Sequence, residues 1–127
     1  MPKETLGAQL AELIRSQHPT APRFFPTWKQ AAQLAGISYF GDGSRSGFEQ
    51  AQSKWDLCPN LSLIRHAIGV MSHGEQIFLA ALVSVYDAED GGALLQQSCV
   101  QGLADFGGLD LERRTLLANL ILSYDGW

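Results

Sequence analysis

The chain has 127 residues, 46% of them hydrophobic and 17% charged, with a formal net charge of −4. That is one domain's worth of sequence with enough apolar residues for a core, so a fully disordered acidic chain is excluded. No run reaches the ~18 uncharged apolar residues of a membrane span, and the opening MPKETLGAQL has no apolar signal-peptide block.

Helical periodicity dominates the chain. Leu6, Leu10, Leu13 and Ile14 stand at i, i+4, i+7 and i+8, opposite Gln9, Glu12 and Ser16, which predicts an N-terminal helix over 4–17. Three prolines in His18–Pro26 predict an extended linker, because proline removes a donor and disfavours helix in the residue before it. Residues 27–127 then form the helical core. Thr27-Trp-Lys-Gln30 has the pattern of a capping box opening a helix that buries Trp28, Ala32 and Ala35 and stops at Gly36. Ile37–Phe40 reads as a brief extended piece, and Gly41–Gly47 as a loop.

A second box, Ser46-Gly-Phe-Glu49, predicts a helix over 47–55 with Phe48, Ala51 and Trp55 on one side. Asn60 is a good N-cap for 61–70, where Leu61, Ile64, Ile68 and Met71 align. Ser72-His-Gly-Glu75 opens the most informative segment, Ile77–Tyr86, interrupted only by Ser84. Its length and capping box favour a helix over a buried strand, and apolar character all round places it inside a bundle. Asp87–Gly92 reads as a terminating turn. Leu95, Cys99, Gly102, Leu103 and Phe106 stripe a helix over 92–105, and Asp110 caps a last helix marked by Leu117, Leu120, Ile121 and Tyr124.

The fold class is therefore all-α, a bundle of about six or seven short helices in a single domain. One internal echo fits it: Leu79-Ala80, Leu82 and Tyr86-Asp87 repeat 38 residues later as Leu117-Ala118, Leu120 and Tyr124-Asp125. A pair of related helices packed across the 92–105 helix would produce that echo.

Candidate chemistry is sparse. Gly41-Asp-Gly-Ser-Arg-Ser-Gly47 is a glycine-rich loop before a helix start, able to present N–H groups to an anion, with Gly41, Gly43, Ser44, Arg45 and Ser46 as the ligand-binding candidates. Its spacing is neither the dinucleotide fingerprint nor a P-loop. As a calcium loop from Asp42 it fails at position 12, where Ser53 stands in place of glutamate. His66, His73 and Glu75 have metal-ligand chemistry, but the helix start at Ser72 separates the histidines, so no metal or cofactor is expected. No G-x-S-x-G, HExxH or kinase pattern occurs, so no catalytic residue is assigned. Cys58 and Cys99 lie outside any CxxC and read as buried thiols of a cytoplasmic protein.

Charge and aromatics carry the remaining signal. Residues 1–70 hold seven basic and five acidic side chains, +2, whereas residues 71–127 hold two basic and eight acidic, −6. No basic stripe suits nucleic acid. The profile fits a small accessory, neutralising or regulatory protein that binds another protein, with Phe24, Phe25, Glu89, Asp90 and Trp127 as partner-binding candidates. A homodimer is expected as well, since the oily 72–87 helix needs cover on every side. The alternative is a protein that binds a small anion or nucleotide through the 41–47 loop.

Overall fold

The computed structural model describes residues 22–127; the N-terminal helix expected over 4–17 and the linker residues 18–21 lie outside that range. Six α-helices are present among the described residues: α1 Phe24–Ala35, α2 Arg45–Gln50, α3 Leu61–Ala67, α4 His73–Tyr86, α5 Ala88–Gln97 and α6 Leu111–Ser123. Short 3-10 turns at Ile37–Tyr39, Lys54–Leu57, Ile68–Val70 and Leu103–Gly108 connect them. The all-α bundle expected from periodicity is the architecture observed.

Helix α4 is its axis. Ser72 accepts from the Glu75 amide while Glu75 reaches back to the Ser72 amide, which is the capping box read from the sequence. Seven consecutive residues, Ile77–Val83, are buried. One chain covers them all, with α5 forming the most extensive interface and α1 and α6 closing other sides. The expected reason for a second copy is therefore removed: α4 needs no homodimer to bury it. The Leu79 and Leu117 echo does not flank a central helix either, because α6 packs mainly on α1 while α5 packs on α4.

Where α1 begins corrects the linker. The helix starts at Phe24, so Phe24–Pro26 are helical rather than extended. Pro26 is tolerated in the first turn because amides there have no intrahelical acceptor to lose. Thr27 is not a cap; its hydroxyl donates to the Arg23 carbonyl at 2.8 Å, one turn back. This start stacks Phe24 on Trp28 at i, i+4, with ring centroids 5.9 Å apart. Gly36 ends the helix as expected, at φ 126°.

Ile37–Tyr39 is a 3-10 turn rather than a strand, although Phe40 forms an isolated antiparallel bridge with Pro59. Ser44, not Ser46, caps α2, and the helix stops at Gln50 instead of running to residue 55. Phe48 and Ala51 are buried as expected, but the separate turn Lys54–Leu57 swings Trp55 outward. Asn60 caps α3 by accepting from the Leu63 amide at 3.1 Å, and Ile64 and Ile68 reach the core.

The largest correction concerns α5. Asp87 ends α4 through its amide to Val83 O at 2.7 Å and at once caps α5 by accepting from the Asp90 amide at 2.9 Å. Glu89, Asp90, Gly91 and Gly92 are thus helical, and the helix occupies 88–97 rather than 92–105. Acidic residues in a first turn suit the positive end of the helix dipole. Its buried face is Gly91 and Leu94, while Cys99 and Leu103 are exposed beyond its end. Asp110 caps α6, whose buried residues are Leu116 and Leu120; Ile121 and Tyr124 face outward.

Candidate functional site

Aromatic residues converge where the start of α1 meets the ends of α4 and α6. Trp28 is the floor, fully buried, its indole N–H donating to Leu57 O at 2.9 Å. Phe24 stacks above it and meets Tyr124 edge-on, with centroids 5.9 Å apart. Trp127 wedges among Trp28 at 4.8 Å, Tyr86 at 5.0 Å, Phe24 at 5.8 Å and Trp55 at 6.2 Å, all edge-to-face. Offset and edge-on pairs of this kind add stability beyond area burial.

A lysine crowns the cluster. Lys54 Nζ lies 5.5 Å from the Phe24 ring, 5.7 Å from Trp127 and 5.9 Å from Trp55. It also donates to Asp125 Oδ1 at 3.1 Å and to the Gly126 carbonyl. Cation–π attraction and an ion pair therefore fasten Asp125–Trp127 onto the bundle. Of the aromatic candidates, Phe24 is buried in the core, Phe25 is half-buried against it and Trp127 is half-buried. What stands out of the cluster is Trp55, 61% exposed.

Tyr86, in contact with Trp127, leads directly into Asp87 and the first turn of α5. The neighbouring Cys58 side chain, then burial, then the Asp87 charge hold the Tyr86 phenol above its ordinary 10.0. Cys58 is only half-buried and Cys99 is exposed, so neither is the buried thiol expected. Asp90 is engaged by Arg65 Nη2 at 2.8 Å. Glu89 is exposed.

The 41–47 loop is internally satisfied. Gly41 and Gly43 take φ of 60° and 79°. Their amides donate to Cys58 O at 2.9 Å and Phe40 O at 3.0 Å. The Ser44 amide and hydroxyl both donate to Asp42 Oδ1, at 2.8 and 2.7 Å, and the Gly47 amide donates to Ser44 Oγ at 2.9 Å. Arg45 leans toward Glu49 Oε1 at 3.9 Å, and Ser46 is exposed. The loop already holds an anion, the Asp42 carboxylate, which the Ser44 hydroxyl and amide keep below its ordinary 3.8. A phosphate would meet negative charge and occupied donors.

The histidines are apart in role. His66 Nδ1 donates to Ser62 O at 2.8 Å within α3, and His73 Nε2 donates to Ser98 O at 2.9 Å across to the end of α5. Among the described residues no group of three His, Cys, Asp or Glu side chains is placed to hold a metal ion. None of the described helices is long and apolar enough to cross a membrane.

Sequence reasoning missed Trp55, Lys54 and Ile121 as surface features. The break at Ser53, a hydroxyl with Asp56 three residues on, was the available signal for Trp55: Ser53 and Asp56 form a capping box that starts a new turn. No protein-family model matches the chain, and no curated protein or solved structure shows significant similarity to it.

Proposed function

We propose that this chain acts by binding another protein, not by turnover, and that the contact is made by Trp55 together with the acidic first turn of α5. The observation that carries this reading is the exposure of Trp55 on a buried aromatic foundation. Tryptophan on a rigid base is the residue type that anchors interfaces at low entropic cost. Trp127 and Tyr86 bridge from Trp55 to Asp87, and Glu89 adds a solvent-facing negative charge. The partner chemistry this suits is an apolar pocket flanked by lysine or arginine, steered by the −6 balance of residues 71–127. A cytoplasmic accessory or regulatory protein remains the broader role within this proposal.

The test uses three forms of the full chain as bait in moderate salt: unchanged, Trp55→Ala and Glu89→Lys. Both side chains are exposed, so folding is retained. A protein captured by the unchanged chain and lost from both variants supports the reading. Identical capture by all three overturns it.

A further inference from the structure

We infer that Asp125–Trp127 is a strap that positions the proposed anchor. Closed, it keeps Trp55 turned outward; released, it lets Trp55 fold into the seat that Trp127 leaves. This names what controls the anchor of the protein-binding reading, and its meaning for binding rests on that reading. Latch and anchor come from one turn. In Lys54–Leu57 the Lys54 side chain points inward, 18% exposed, while the next residue, Trp55, points outward. Beyond Ser123 the chain leaves α6. Among the described residues, every hydrogen bond to Asp125–Trp127 comes from Lys54, at Asp125 Oδ1 and the Gly126 carbonyl. The buried Trp127 indole nitrogen has no partner among them either, so no polar contact of its own fixes that ring. A segment held by one side chain and by ring packing opens locally far more readily than the helices do.

What the strap covers decides what its release does. The Trp127 ring meets Trp28, Tyr86, Phe24 and Trp55, and of these four only Trp55 is exposed. Lifting Trp127 uncovers apolar ring surface on Trp28, Tyr86 and Phe24, which is unfavourable in water. Trp55 is the exposed ring beside that hollow, and burial of its large apolar face drives it inward. The backbone beneath it is fixed. Ser53 and Asp56 cap the turn, the Leu57 carbonyl accepts from Trp28, and the Trp55 carbonyl accepts from Cys58 Sγ at 3.4 Å. The change is therefore a rotation of the Trp55 side chain. A partner that needs Trp55 outward favours the closed strap, and whatever loosens Lys54 from Asp125 works against that partner.

The test uses the free full chain carrying 5-fluorotryptophan, with an uncharged water-soluble nitroxide as the probe of exposure. The Trp55 fluorine signal is identified by its loss in Trp55→Phe. In the unchanged chain the nitroxide attenuates that signal strongly. In Lys54→Met and in Trp127→Ala the attenuation should fall by at least about twofold. Asp125→Asn, which keeps every ring and the lysine, should give a smaller fall. Dispersed amide signals from α4 verify folding, and where either of the first two variants unfolds, Asp125→Asn decides, its side chain being 67% exposed. Attenuation that is unchanged or stronger in the folded variants overturns the proposal. No partner enters this measurement, so its failure leaves the protein-binding reading standing. Identical capture by Trp55→Ala and the unchanged chain sinks that reading and leaves the strap intact.

Discussion

Gly91 of α5 lies against the backbone of Ser84 in α4 so closely that a Cβ at position 91 would collide with the Ser84 Cα and amide nitrogen. The next residue, Gly92, faces open space. Two adjacent glycines in one helix thus have opposite roles. Gly91 permits α4 and α5 to approach, whereas Gly92 only adds backbone freedom to the unfolded chain. Gly91→Ala should destabilise the fold by about 1–3 kcal/mol as the helices are forced apart. Gly92→Ala should stabilise it by about 0.5–1 kcal/mol. Urea unfolding of the two variants checks both signs at once.

The indoles of Trp28 and Trp127 differ in a way that mutation can read. Trp28 donates to Leu57 O, a carbonyl on a buried residue, while the Trp127 indole nitrogen is buried with no hydrogen-bond partner. Trp28→Phe leaves the Leu57 carbonyl unsatisfied and should cost about 1–3 kcal/mol. Trp127→Phe removes an orphan donor, so its cost should stay below about 1 kcal/mol. Equal losses in chemical denaturation would refute the distinction.

Lys54 joins ring faces to the Asp125–Trp127 segment. Lys54→Met keeps the stem and removes the charge. It should lower stability by about 1–2 kcal/mol, the range of a partly desolvated cation–π contact. It should also speed amide hydrogen exchange at residues 125–127, with exchange in α4 changing far less.

Acid should loosen the helix starts. Hydrogen bonds from the Ser72 hydroxyl and amide hold Glu75 below its ordinary 4.5, backbone amides at Gln101 and Gly102 do the same for Asp105, and the Arg113 amide for Asp110. A carboxyl lowered in the folded state contributes stability above its unfolded value, lost as pH falls through the folded one. Melting temperature should therefore be flat near neutrality and drop below about pH 4. Glu75→Gln, which keeps an acceptor but cannot titrate, should make that drop shallower.

Much of the fold was legible because the strongest local signals were reciprocal. Ser72 with Glu75, Asn60 and Asp110 each occupy the cap their chemistry predicts. The reading erred where a residue had two compatible roles. Glycine after acidic residues suggests a turn, yet Asp87 closes one helix and opens the next, and Gly91 serves packing. Thr27 and Gln30 match a capping box, but stacking of Phe24 on Trp28 draws the helix start forward by a turn. The outward turn of Trp55 and Ile121 depends on tertiary choices of face: Leu116 and Leu120 take the core side of α6, which periodicity alone left open. Those same choices decide the candidate surface, so the site was less legible than the helices.

Trp55 is the proposed anchor of the partner contact. The decisive measurement is the affinity of the purified partner recovered by capture, titrated calorimetrically against the unchanged chain, Trp55→Ala and Val70→Ala. Among the described residues Val70 is as exposed as any large apolar side chain, and it lies outside the aromatic cluster. Trp55→Ala should weaken binding by about tenfold to a hundredfold, or more, as expected for an anchoring tryptophan, while Val70→Ala leaves it unchanged. Equal affinities for all three chains would contradict the account.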